Sequence, residues 1–189
     1  MKFLSAVCLL FVACTSLYAA PSEAWRTTLH DELPLLGHRN WIVIVDSAYP
    51  LQVSRGVETV ETGASQTEVV ATVLHELALS QHVAPVVYMD AELPFLSEQN
   101  APGVTGYRRE INATLGSLPV HGLPHEQLIK TLDEAGNTFH VLVLKTTLTI
   151  PYTSVFLRLD CKYWPDASEQ ALRKAMMRNN SDARKTGSE

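Results

Sequence analysis

Five consecutive apolar residues, Trp41-Ile42-Val43-Ile44-Val45, stand out from a polar neighbourhood and stop at Asp46. A run rich in β-branched residues with no alternation predicts a strand covered on both faces, as in a parallel sheet. Ser47, Ala48, Tyr49 and Pro50 break it. Further on, Val69, Val70, Val73, Leu74 and Leu77 recur at helical period behind Ser65 and Glu68, which have the spacing of a capping box. A helix beginning near Ser65 and packing on the sheet is therefore expected. Val83 to Met89 reads as a second strand, and Pro85, with no N–H to donate, places it at an edge or near a strand start. Leu128, Ile129 and Leu132 predict a helix from His125 to Ala135, begun after Pro124 and ended by Gly136 and Asn137. Phe139 to Leu144 is a third strand and Thr149 to Leu159 holds a fourth, with Pro151 and Tyr152 at its start. Residues 22–36 read as a short helical or irregular lead-in. Residues 94–123, with scattered Pro, Gly and Asn, read as a long irregular insertion around a short helix. Strand, helix, strand, helix, strand points to one layered α/β domain over 22–164, followed by a polar tail, 165–189, partly helical from Ser168 to Met177 and then frayed.

The N-terminal segment calls for separate treatment. Lys2, an apolar run from Phe3 to Ala13, and the small residues Ala19 and Ala20 form the pattern of a signal peptide over 1–19. Cleavage after Ala19 is favoured because a cut after Ala20 would put Pro21 next to the scissile bond. The alternative is lipid attachment at Cys14. The mature chain is thus expected to be exported, periplasmic or secreted, with no membrane partner unless it is lipidated. No later stretch approaches the ~20 apolar residues of a membrane helix. Removing the leader leaves Cys161 as the cysteine of the folded part, so neither an internal disulfide nor a cysteine-rich metal cluster is expected. A net charge of -5 offers no field for a phosphate backbone, which argues against nucleic acid and fits a neutral small molecule better.

Chemistry concentrates at the two ends of the first strand. His38 precedes it, and Asp46 follows it, at the carboxyl end where open α/β sheets place ligands. Taken alone, the pair reads equally as a turn residue and a cap. Seven histidines and the acidic pair Asp90 and Glu92 raise the idea of a metal-dependent hydrolase, but their spacings match no standard ligand pattern, so no metal is expected.

The spacing Gly37-His38-Arg39-Asn40-Trp41-Ile42-Val43-Ile44-Val45-Asp46-Ser47-Ala48-Tyr49-Pro50 resembles the N-terminal signature of the ribose pyranase and fucose mutarotase family (RbsD/FucU). Arg39 and Asn40 stand where the family has a small residue and Asp. Near the other end, Pro151-Tyr152-Thr153-Ser154 before an apolar strand is similar to the family's Pro-Tyr-Ala-Asn, with Ser154 in the asparagine position. Thr147 and Leu148 replace its Gly-Glu, and Asp160 replaces a glycine after the last strand. His125-Glu126-Gln127 resembles the start of the helix that supplies a second sugar-contacting histidine, with His121 and His140 as competitors. The resemblance runs from about Leu36 to Leu159.

This resemblance implies a three-layer α/β/α fold with a mostly parallel, mixed sheet. It also implies an isomerase that opens and recloses the ring of a free monosaccharide by general acid/base catalysis, without a cofactor. His38 would be the proton donor, Asp46 would orient its ring or accept a sugar hydroxyl, and His125, Tyr152 and Ser154 would hold the remaining hydroxyls. Trp41 and Tyr49 could stack on a sugar face, although Trp41 lies in the strand. A ring-like homo-oligomer with sites completed by a neighbour is implied as well. The substitutions at Thr147, Leu148 and Ser154 motivate an alternative, a sugar-binding protein of the same fold without catalysis.

Overall fold

In the computed structural model, which describes residues 21–186, the apolar strand β1 (Trp41–Val45) lies inside a six-stranded sheet. The leader expected over 1–19 lies outside the described residues. Helix α1 (Pro21–Glu32) precedes β1, and β2 (Val57–Glu61), α2 (Gln66–Leu79), β3 (Val83–Asp90), α3 (Val104–Leu115) and β4 (Val120–Leu123) follow. The chain continues through α4 (His125–Gly136), β5 (Val141–Lys145), β6 (Val155–Cys161) and α5 (Asp166–Thr186). The strand order is β2-β5-β1-β6-β3-β4. The pairs β1 with β5, β2 with β5 and β3 with β4 are parallel, while β6 runs antiparallel to both β1 and β3.

Every residue of β1 is apolar because both faces of the strand are covered. Ile42 and Ile44 join Leu142, Leu144, Val155 and Leu157 in a core roofed by Trp25 of α1, Val73 of α2 and Ile111 of α3. Trp41, Val43 and Val45 face the opposite way, with Val143 and Phe156, against Leu128 and Leu132 of α4. Successive strand side chains point to opposite sides, so one uninterrupted run supplies two cores. The three-layer α/β/α arrangement follows from this.

The helix expected near Ser65 begins there, with the Ser65 hydroxyl accepting from the Glu68 backbone N–H. Pro85 lies in the half of β3 that β4 does not reach, since β4 pairs only with Val87 to Asp90. Its missing N–H is thereby tolerated. The segment 94–123, expected as an irregular insertion around a short helix, is more ordered than that. It holds the twelve-residue α3 and the edge strand β4. Val104, Tyr107, Ile111 and Leu115 form a buried stripe on α3, but one apolar residue per turn, interrupted by Gly106 and two arginines, is a thin signal. Strand β2 was also unanticipated, because Val57-Glu58-Thr59-Val60-Glu61 is short and only partly buried. At its start Gly56 passes so close to α4 that a Cβ there would press into the carbonyl oxygens of Gly136 and Phe139. A side chain is excluded by that approach, which ties the end of α4 to the sheet.

Candidate active site

Strand direction decides which loops meet. β1, β3 and β4 end on the side of the sheet where antiparallel β6 begins, so Asp46, Asp90, His125 and the loop before Val155 converge there. A cleft of about 460 Å³ opens there, lined by Asp46 to Pro50, His125 and Thr149 to Tyr152, with Asp90 buried behind His125.

Asp46 follows β1 directly. Its Oδ1 accepts the Ala48 backbone N–H at 2.8 Å, closing an Asx turn, and among the described residues Oδ2 has no hydrogen bond. Tyr49 turns inward, its hydroxyl donating to Gln52, whose side-chain amide donates to Asp133 of α4 at 2.9 Å. Burial, then the charges of Asp133, Asp90 and Asp46, push the Tyr49 phenol up to about 12. Lys145 donates to the Tyr49 carbonyl at 2.8 Å and holds the loop on the sheet.

His125 opens α4. Its backbone N–H, which has no partner within the helix, donates to both carboxylate oxygens of Glu92, at 3.0 and 3.1 Å, so negative charge sits at the helix N-terminus. Its ring Nδ1 lies 2.9 Å from Oδ1 of Asp90, which is 2% exposed at the end of β3. Desolvation raises the Asp90 carboxyl above its ordinary value, although the hydrogen bond and charge of His125 pull it back. Glu92 pushes it up further, and the Ser154 backbone N–H acts in the other direction. Oδ2 of Asp90 is sealed from solvent without a hydrogen bond of ordinary geometry.

Tyr152 meets the His125 ring edge-on, with centroids 5.5 Å apart and planes at 90°. Its φ is +56°, a left-handed conformation that an aromatic side chain adopts only when its surroundings impose it. Those surroundings are the buried anchors of the next residue: the Thr153 carbonyl accepts from Gln66 and, at 2.7 Å, from Tyr107, and its hydroxyl donates to Ile150 at 2.8 Å.

Of the residues named from the sequence, Asp46, His125 and Tyr152 line the cleft. His38 does not. It lies before β1, a strand spanning about 17 Å, with its Nδ1 2.8 Å from Oδ1 of Asp160. There it borders a separate hollow of about 400 Å³ with Cys161, Trp164 and Glu169. Within one chain His38 and Asp46 therefore border different hollows. Ser154 is 1% exposed, and its hydroxyl is buried without a partner, so it stands behind the cleft rather than on its wall. Trp41 is a core residue packed near Tyr88 and has no face free for stacking. His121 lies on exposed β4 against Tyr88, and His140 pairs with Glu32, so His125 is the cleft histidine among the three candidates. Asp90 and Glu92 serve the ring and the backbone of His125, a different task from the metal pair considered above. The role of Asp90 was missed because its contact exists only once β3 and β4 lie side by side. An acidic residue ending an apolar strand was the available signal.

Comparisons with known proteins bear on the same region. Residues 24–161 match the RbsD / FucU transport protein family. RbsD of Bacillus subtilis, complexed with D-ribose, is 19% identical, with 71% of this chain and 92% of that chain covered and a TM-score of 0.51. The fucose mutarotase of Streptococcus pneumoniae, in complex with L-fucose, is 21% identical over 71% of this chain and 89% of that chain, with a TM-score of 0.45. FucU from Bifidobacterium longum is 15% identical over 71% and 94%, with a TM-score of 0.46. No curated protein matches the sequence. The likeness to the Bacillus subtilis structure is one of fold, whereas the family match takes in the sheet, the cleft and both ends of β1, and on that match the chain belongs to the RbsD / FucU transport protein family.

Proposed function

We propose that the chain is a monosaccharide mutarotase or pyranase, which opens and recloses the ring of a free sugar without a cofactor. The convergence of Asp46, His125 and Tyr152 on one cleft carries this reading, in a chain of this family. Solved relatives hold D-ribose and L-fucose.

Ring opening breaks the bond between C1 and the ring oxygen. The anomeric hydroxyl loses a proton, the ring oxygen gains one, and a free aldehyde results. Reclosure from either face reverses both transfers, so no atom is gained or lost. An imidazole suits both steps because it exists in either protonation state near neutrality. With Nδ1 engaged by Asp90, the His125 ring has Nε2 for the substrate. The uncommitted oxygen of Asp46 accepts a sugar hydroxyl, and the Tyr152 phenol donates to another. Ala48, Pro50, Ile150 and Pro151 give the C–H face of a sugar an apolar wall.

His38 enters this reading only through a second subunit. A ring-like homo-oligomer would bring His38 and its Asp160 partner to the cleft of a neighbour. The leader pattern over 1–19 supports action outside the cytoplasm, in the periplasm or the medium.

Magnetisation-transfer NMR on a panel of pentoses and 6-deoxyhexoses tests the activity. Exchange unaltered by His125→Ala removes the reading. Mixing His38→Ala with His125→Ala subunits tests the shared site: random reassembly should restore about a quarter of the sites if the two histidines come from different chains. Absence of recovery would deny His38 a part. A second reading, sugar binding without catalysis, is favoured by one observation: Leu148 packs on the hydrophobic core, in the place of the family's carboxylate. Calorimetric binding with no accelerated exchange would establish it instead.

A further inference from the structure

We infer that Asp90 is a positioning residue that holds His125 in the tautomer protonated at Nδ1, so that Nε2 meets the cleft as a proton acceptor. The activity part of this inference rests on the proposed function, but the tautomer does not.

Three contacts leave the His125 ring little freedom. Glu92 takes its backbone N–H, Tyr152 stands against its edge, and Asp90 takes Nδ1. An ionised carboxylate only accepts hydrogen bonds, so an Asp90 carboxylate requires the hydrogen on Nδ1 and leaves the Nε2 lone pair free. A protonated Asp90 would donate to Nδ1 and place the hydrogen on Nε2, giving the opposite polarity toward a sugar hydroxyl. The pair thus has two arrangements with a neutral ring, which differ by one proton and in which ring nitrogen carries the hydrogen, and the one with an Asp90 carboxylate depends on His125. Asp90 is fully buried, and its other oxygen has no hydrogen bond of ordinary geometry. The remaining groups around the pair are acidic or phenolic: Glu92 beyond β3, Asp46 beyond β1, and the hydroxyls of Tyr49, Tyr107 and Tyr152. No Lys or Arg in the described residues forms an ion pair with Asp90, so the imidazole is the group that sustains its charge.

Asn in place of Asp90 separates positioning from mere packing. The Ser154 backbone N–H acts as a donor toward residue 90, which favours an amide oxygen turned to Ser154 and an NH₂ turned to Nδ1. Nδ1 must then accept, and the hydrogen moves to Nε2.

The experiment is ¹⁵N NMR of histidine-labelled full-length protein above the pH at which the ring titrates. It is run on the wild type and on Asp90→Asn, beside ring-exchange kinetics on D-ribose and L-fucose. The expected result is an Nδ1–H tautomer in the wild type and a shift toward Nε2–H in the variant. The turnover rate should fall on the order of 10²-fold, with KM little changed. A wild-type ring protonated at Nε2 overturns the inference, and that spectrum suffices even if the variant does not fold. A folded variant with its tautomer and exchange rate unchanged overturns it too. If the tautomer shifts as expected while His125→Ala leaves exchange untouched, the positioning role stands and the proposed reaction falls.

Discussion

The two ends of β1 each carry a histidine and an aspartate with almost the same separation, 2.9 Å for His125 and Asp90 and 2.8 Å for His38 and Asp160. Their surroundings differ. The Asp90 side chain is 0% exposed and that of His125 28%, against 37% and 54% for Asp160 and His38. Desolvation pushes both carboxyls up, but at Asp160 the backbone N–H of Cys161, the His38 hydrogen bond and charge, and nearby Arg158 outweigh it and leave the group lowered. At Asp90 desolvation prevails. Burial rather than distance therefore distinguishes a pair that governs proton location from one that water and neighbouring charges share.

The largest effect should come from His125→Ala, a loss of ring exchange on the order of 10²- to 10⁴-fold in magnetisation transfer, with the fold retained by circular dichroism. An equal loss from His38→Ala would show that both ends serve one reaction across subunits. Stability should separate the pairs next. Asp90→Ala strips the half-buried His125 ring of its buried partner and should cost about 1–3 kcal/mol in urea unfolding. Asp160→Ala, an exposed pair, should cost at most about 1 kcal/mol. Equal losses would break the comparison. Tyr152→Phe keeps the edge contact with His125 and removes one hydroxyl, so KM should rise several-fold, equivalent to about 1 kcal/mol, with kcat nearly unchanged.

The smallest effect is one of sign. Asp90, raised in the folded state, binds its proton more tightly there. Its contribution to stability is therefore fullest below the ordinary carboxylate range and declines as pH rises through the raised value. Asp160, lowered in the folded state, contributes fully above the ordinary range and loses that contribution as pH falls through the lowered value. Urea unfolding from pH 3 to 7 should show the wild type losing ground to Asp90→Asn as pH rises and gaining on Asp160→Asn. Parallel curves would refute the assignment.

Much of the scaffold could be read in advance because its signals are local. β1 announced its double burial in five letters, and α2 and α4 announced themselves through apolar spacing and their capping or Pro–Gly boundaries. β2 and β4 escaped, and α3 was legible only as an unplaced short helix, because their apolar content is thin and they are held mainly by neighbours. The motifs around Asp46 and Tyr152, and the start of the helix at His125, likewise identified three cleft residues. His38 was joined to them through the family resemblance, and within one chain it lies at the other end of β1, beside Asp160.

The order of residues by itself determined which segments become helix or doubly covered strand, since those choices depend on side-chain spacing within one element. Only the tertiary structure decided that Asp90 holds His125, that Ser154 lies behind the cleft, and that His38 pairs with Asp160 beside a different hollow. Those outcomes depend on strand order and direction: parallel β3 and β4 carry residues 90 and 125 to one place, and antiparallel β6 starts beside them. Burial then sets the ionisation of each group, and burial belongs to the assembled layers rather than to any stretch of chain.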